Sequence, residues 1–162
     1  MRVRMLSAAV LALVVVAAAA PAHAQSRKPT AHEIAAIRDC AKKHQEDIDA
    51  GEAKCLFKVV ADPCVGSFGS ASDAHMADCY QIEGAIWDDL LNENYKGLLA
   101  ELDDEQTKKA RDMQRAWIAY RDTTCGFYYD KIRGTMAGLM GAACVTRETA
   151  RRAMLLKFFT GL

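Results

Sequence analysis

The chain is 162 residues long and carries 21 Lys and Arg against 21 Asp and Glu, with 51% of its residues hydrophobic. That balance excludes the basic stripe of a nucleic-acid binder. One continuous apolar run stands out, at the N-terminus, and it is short for a span of about 20 residues.

Arg2 and Arg4 precede that run, which extends from Met5 to Ala20 and is followed by Pro21-Ala22-His23-Ala24. A positive start, a short apolar stretch and a small-x-small exit make a secretory signal. Residues 1–24 are therefore expected to be removed near Ala24, sending the chain to the periplasm or beyond it. Residues 25–162 are expected to form one domain with no membrane span in the mature form. The signal takes two basic residues and no acidic one, leaving 19 basic against 21 acidic, a net charge of −2. No cysteine directly follows the apolar run, so a lipid anchor is not expected. All six cysteines lie in the mature part. An even count in an exported chain implies three disulfides, but the count does not choose their pairing.

In chain order, Thr30 and Glu33 make a capping box, so a helix starts there. Ile34, Ile37 and Ala41 form its apolar face, and the pattern frays near Gly51. A shorter helix is predicted over Glu52 to Val60, ended by Asp62-Pro63, because proline disfavours helix in the residue before it. Residues 63–72, rich in Gly and Ser, read as a loop. Ile82, Ile86, Leu90, Leu91, Leu98 and Leu102 recur at threes and fours, predicting a long helix over 73–102 with a broad apolar face. Asp103 with Gln106 is a second capping box, opening a helix over 104–129. Its Ala110, Met113, Trp117, Tyr120 and Thr124 form a seam for a facing helix. Gly134, Gly138 and Gly141 make 130–145 read as a tight loop. Thr146 then N-caps a last helix, anchored by Leu155, Phe158, Phe159 and Leu162. The fold class is all-α: a small helical bundle built on a long antiparallel helical hairpin, 73–102 against 104–129, and stapled by disulfides.

Chemistry is mostly excluded. No HExxH, CxxC or CxxCH occurs, and His32, His44 and His75 read as solvated helix residues, so no metal or haem site is expected. No G-x-S-x-G elbow or phosphate loop appears. Asp88-Asp89 and Asp103-Asp104-Glu105 read as solvated or capping acids rather than a glycosidase pair. No catalytic residue and no cofactor is expected; the chain does not read as an enzyme. What remains is a polar and aromatic cluster on the hairpin: Glu83, Trp87, Asp88, Asn92 and Tyr95 on one helix, Gln114, Trp117, Tyr120, Arg121 and Asp122 on the other. Trp117 and Arg121 share a face, so the guanidinium can stack on the indole or pair with an acid. A polar clasp that fixes the register of the hairpin explains these residues better than a binding site does.

The run Gln114-Arg115-Ala116-Trp117, then Tyr120-Arg121-Asp122 and Cys125, resembles the Q-R-A-W-x-x-Y/F-R-D-x-x-C signature of the lysozyme-inhibitor LprI-type domain family. Cys79, Glu83, Trp87-Asp88, Leu91-Asn92 and Tyr95 resemble its C-x3-E-x3-W-D-x2-L-N-x2-Y stretch. Gly134-Thr135, Cys144 and Thr146 with Ala150-Arg151-Arg152-Ala153 resemble its closing features. The resemblance runs from about Cys64 to Phe159. It implies a small helical cell-envelope domain and, as an activity, inhibition of lysozyme, with the signature residues acting as fold determinants.

The reading that follows is a periplasmic binding protein whose exposed loop enters the cleft of a lysozyme-like muramidase and contacts its catalytic carboxylates. The alternative is a non-catalytic envelope interaction or stress protein with no muramidase partner. Candidate inhibitory loops lie at Gly66, Ser67, Phe68 and Ser70, and at Lys131, Arg133 and Thr135. Neighbouring cysteines are expected to pair: Cys40 with Cys55, Cys64 with Cys79, and Cys125 with Cys144, the last closing the Gly-rich segment. The oligomeric state is not legible in the sequence.

Overall fold

The computed structural model describes residues 27–67, 69 and 71–162. The expected signal segment and its cleavage point lie outside the described residues, as do Phe68 and Ser70. Among the described residues there are six helices and no strand.

The chain begins with three short helices, α1 (Ala31–Lys43), α2 (Ile48–Cys55) and α3 (Ala61–Gly66). The expected capping box opens α1: Thr30 Oγ1 accepts from Glu33 N–H, and the Glu33 carboxylate accepts from Thr30 N–H at 2.7 Å. The helix ends at Lys43, well before Gly51, which is buried inside α2. The single helix expected over Glu52–Val60 is instead two. Asp47 N-caps α2, and a turn from Leu56 to Val60 leads into α3. Pro63 does not terminate a helix; it stands in the first turn of α3, where a backbone N–H has no intrahelical partner and its loss costs nothing.

Three long helices follow: α4 (Asp73–Glu101), α5 (Asp104–Lys131) and α6 (Thr135–Phe159). The second capping box is present, with Asp103 Oδ1 accepting from Gln106 N–H and Gln106 Oε1 from Asp103 N–H. The loop expected over 130–145 shrinks to Ile132–Gly134, and α6 begins eleven residues before Thr146. Thr146 is no N-cap; it is buried in mid-helix, its hydroxyl donating to the Tyr80 carbonyl at 2.8 Å. Of the glycines that suggested a loop, Gly141 serves close packing, while a Cβ on Gly138 would meet nothing within 4 Å. A Cβ on Gly141 would come within 2.8 Å of the Tyr129 ring. The break itself is at Gly134, whose φ of +99° few other residues adopt.

The register of the long helices follows from their cross-links. Thr135 meets Asp73, Thr146 meets Tyr80, and Asn94 meets the Ala153 carbonyl, so α6 runs parallel to α4. Arg152 meets Gln114, and Cys144 is bonded to Cys125, so α5 runs antiparallel to both. The expected antiparallel pair α4 and α5 is thus present in direction, but α6 carries the packing of both. The seam expected on α5 is only half used: Ala110 is buried and Met113 and Trp117 pack against the core, whereas Tyr120 and Thr124 are exposed. In α6, Ala150, Ala153, Met154 and Leu156 face the core, and Phe158 and Leu162 do not anchor the helix. Trp87, Ile37, Ile86 and Leu156 lie at the centre, almost wholly enclosed.

The neighbour pairing of cysteines holds throughout. Cys40–Cys55 joins α1 to α2, Cys64–Cys79 joins α3 to α4, and Cys125–Cys144 joins α5 to α6, with Cα separations of 5.7, 5.7 and 5.4 Å. No helix among the described residues is long and apolar enough to cross a membrane.

Candidate functional site

The polar residues singled out in the sequence divide into three groups. Glu83 and Trp87, four apart on α4, are fully buried. The Glu83 carboxylate accepts from the Phe57 N–H at 2.7 Å, the Ala61 N–H at 2.9 Å and the Trp87 indole N–H at 3.1 Å. It therefore holds the turn between α2 and α3, including Phe57 at φ +65°, against the long helix. Burial pushes the Glu83 carboxyl above the usual carboxylate range, and the three donors oppose that shift. Asp88 and Asn92 are exposed and bond to each other at 3.1 Å.

The second group is a clasp between α5 and α6. Arg152 is buried, its Nε donating to Gln114 Oε1 at 2.9 Å. Burial lowers its pKa from the ordinary value, with Tyr95 nearby. Its guanidinium lies 5.6 Å from the Trp117 ring, and that of Arg121 lies 4.9 Å from the same ring. The expected stacking of Arg121 on the indole is present; its acid partner is its own neighbour Asp122, at 2.8 Å. Trp117 is half-buried, held by cations whose attraction to the ring face partly replaces apolar contact. Arg152 was not singled out as a site residue. The signal available was an arginine in a helix stretch otherwise facing the core.

The third group is the pair of candidate loops. Gly66 is the last residue of α3, and the Ser67 hydroxyl donates to the Cys64 carbonyl at 2.7 Å. Lys131 ends α5 and Thr135 begins α6, which leaves Arg133 as the tip of a three-residue turn, held at φ +56°. Thr135 Oγ1 donates to Asp73 Oδ2 at 2.8 Å, tying the start of α6 to the start of α4. The start of α4 and the 132–134 turn therefore lie side by side at one end of the bundle. Each is anchored by a disulfide, Cys64–Cys79 or Cys125–Cys144. Phe127, Tyr129, Ile132, Met136 and Met140, within two turns of this tip, are exposed at 61, 57, 36, 45 and 38%. Sequence periodicity did not mark them, because an apolar residue off the buried stripe looks like noise until its exposure is known.

This end presents apolar side chains around exposed Lys131 and Arg133 on a braced support. Such a surface suits the binding of another macromolecule. Comparison with curated proteins and with solved structures returned no match. A family comparison did: the family described as lysozyme inhibitor LprI matches residues 64–156, more than half of the chain, from Cys64 on α3 to the core residue Leu156 on α6. That description is of an inhibitor rather than an enzyme, and together with three disulfides it suggests an exported protein. The chain belongs to the lysozyme inhibitor LprI family.

Proposed function

We infer that this chain is a periplasmic inhibitor that blocks a lysozyme-like muramidase by occluding its substrate cleft, with the turn between α5 and α6 as the inserting element. Family membership supports lysozyme inhibition in general. The observation that carries the finer reading is the shape and charge of that turn. Arg133 stands at its tip with no ion-pair partner among the described residues, close in the chain to Lys131 and to the exposed apolar Phe127, Ile132 and Met136. A muramidase cleft holds paired carboxylates, and a cation on a pre-ordered turn meets them without the entropy cost of folding a loop on contact. These apolar side chains then displace water near the charge pair, which strengthens it. The net charge of −2 gives little long-range steering, so the recognition is local.

The test is lysis of cell-wall substrate by a c-type lysozyme and by bacterial lytic muramidases, with and without the oxidised mature chain. Saturable inhibition near one-to-one is expected. Reversing both charges, Lys131→Glu with Arg133→Glu, is expected to weaken it at least about a hundredfold, the scale of losing a close charge pair at an interface. Undiminished inhibition by that variant would exclude this turn as the inserting element. No inhibition across the panel would favour the non-inhibitory envelope role.

A further inference from the structure

Two of the three disulfides have a histidine beside them. Cys40 and His44 are four apart at the end of α1, and His75 and Cys79 are four apart at the start of α4. That spacing puts both side chains of each pair on one helix face. The third member comes from another element: Cys55 closes α2, and Cys64 lies in α3. In each group the two sulfurs and a ring nitrogen all lie within 4.8 Å of one another. His75 Nε2 is 3.6 Å from Cys79 Sγ. Both histidines are half-buried rather than the solvated residues the sequence suggested. Cys125–Cys144 has no such group among the described residues.

We propose that Cys40, His44 and Cys55, and separately Cys64, His75 and Cys79, are two alternative zinc sites that form when their disulfides are reduced. A disulfide sulfur is a poor ligand, so the oxidised and metal-bound forms exclude each other. A dithiol reductant gives two electrons and two protons to the disulfide and is itself closed to a disulfide. The ion then displaces both thiol protons to solvent and takes the imidazole lone pair. Two thiolates and an imidazole suit a thiophilic ion such as Zn2+. Zinc–ligand bonds of about 2.0–2.3 Å place tetrahedral ligand atoms roughly 3.5–4 Å apart, so the His75 imidazole, 3.6 Å from Cys79 Sγ, already stands at ligand distance, and in both groups the two sulfurs must part. The ion would keep closed the same two short loops that the disulfides close.

The test reduces the full mature chain with a phosphine and titrates it with Co2+, then with Zn2+ in competition, following the thiolate-to-cobalt charge-transfer bands. Two equivalents per chain are expected. His44→Gln and His75→Gln should each weaken one site at least about tenfold, since even an outer-shell change costs that much. Cys125→Ser with Cys144→Ser should leave both sites intact. Should the reduced chain lose its helical circular dichroism, Zn2+ must restore it, because binding and folding are then one equilibrium. The proposal is overturned by absent charge-transfer bands, by His variants that bind as tightly as the parent, by equal affinity in strong urea, or by failure of the ion to restore helix.

Discussion

The buried groove between α4 and the turn joining α2 to α3, and the exposed end around Arg133, put charged residues to opposite purposes. In the groove, Glu83 is a charged residue that meets no water and is answered by three N–H donors. At the tip, Arg133 is a charged residue in solvent, with its backbone in the left-handed region. The family signature covers Glu83 and Trp87 of the first region and the stretch of α5 from Gln114 to Cys125, so it describes what builds the fold. In the turn that carries the proposed contact, the signature takes only Gly134 and leaves Ile132 and Arg133 outside it. A family can therefore keep its signature while the binding tip changes.

The sharpest way to break the groove is Glu83→Ala. It strands two backbone N–H groups and an indole N–H, each costing about 1–3 kcal/mol when buried without a partner. A loss of more than about 3 kcal/mol is expected in urea unfolding. A loss under about 1 kcal/mol would show that the turn between α2 and α3 does not depend on this carboxylate.

The two tryptophans come next, because they sit on the two sides of the comparison. Trp87 is fully enclosed, and Trp87→Ala is expected to cost about 3–5 kcal/mol, transfer and cavity together. Trp117 is half-buried beneath two arginines, and Trp117→Ala should cost about half as much. Equal losses would mean that the clasp on α5 is as much core as the groove.

The pH response separates two carboxylates in the same way. At the surface, the hydrogen bonds from Arg27 hold Glu33 well below 4.5, at about 2, aided by those from Thr30 and opposed by partial burial. Its contribution is full above 4.5 and is lost as pH falls from there through about 2. Arg27 is half-exposed, so the effect is small and screened by salt. Glu83 is shifted upward by burial, so its contribution is fully present below 4.5 and is lost as pH rises through its raised value. Unfolding free energies of Glu33→Gln and Glu83→Gln, each compared with the parent from pH 3 to 8, should therefore differ in opposite directions along the pH axis. Parallel differences would refute one of the two environments.

Local signals in the sequence carried far, and tertiary ones did not. Thr30 with Glu33 and Asp103 with Gln106 fixed two helix starts because each box closes within one turn. Cysteine pairing was legible because each bridge spans only 15 or 19 residues. The early start of α6 was not, since Gly141 looks like loop until the Tyr129 ring is seen against it. The role of Glu83 was hidden as well, because two of its donors belong to backbone 26 and 22 residues away and no side chain announces them. At the tip, the segment was marked by its glycines, but it read as sixteen residues of loop when one short turn carries the charge.

Arg133→Gly gives the smallest change in stability and the clearest separation of the two regions. A side chain in the left-handed region costs about 1–2 kcal/mol relative to glycine there. Glycine returns part of that gain as extra freedom of the unfolded chain. A net stabilisation of about 0.5–1 kcal/mol is expected in thermal or urea unfolding. The same change deletes the tip cation, so inhibition of a muramidase should fall while the fold becomes firmer. Arg133→Asn, which also tolerates the left-handed backbone, should repeat that loss without extra flexibility at the tip. A glycine variant that is less stable would mean the turn is held by contacts of the Arg133 side chain. One that is more stable and fully inhibitory would move the contact to the neighbouring apolar side chains. Strain kept at Arg133 against a stability gain of this size is what a binding position, rather than a folding position, would show.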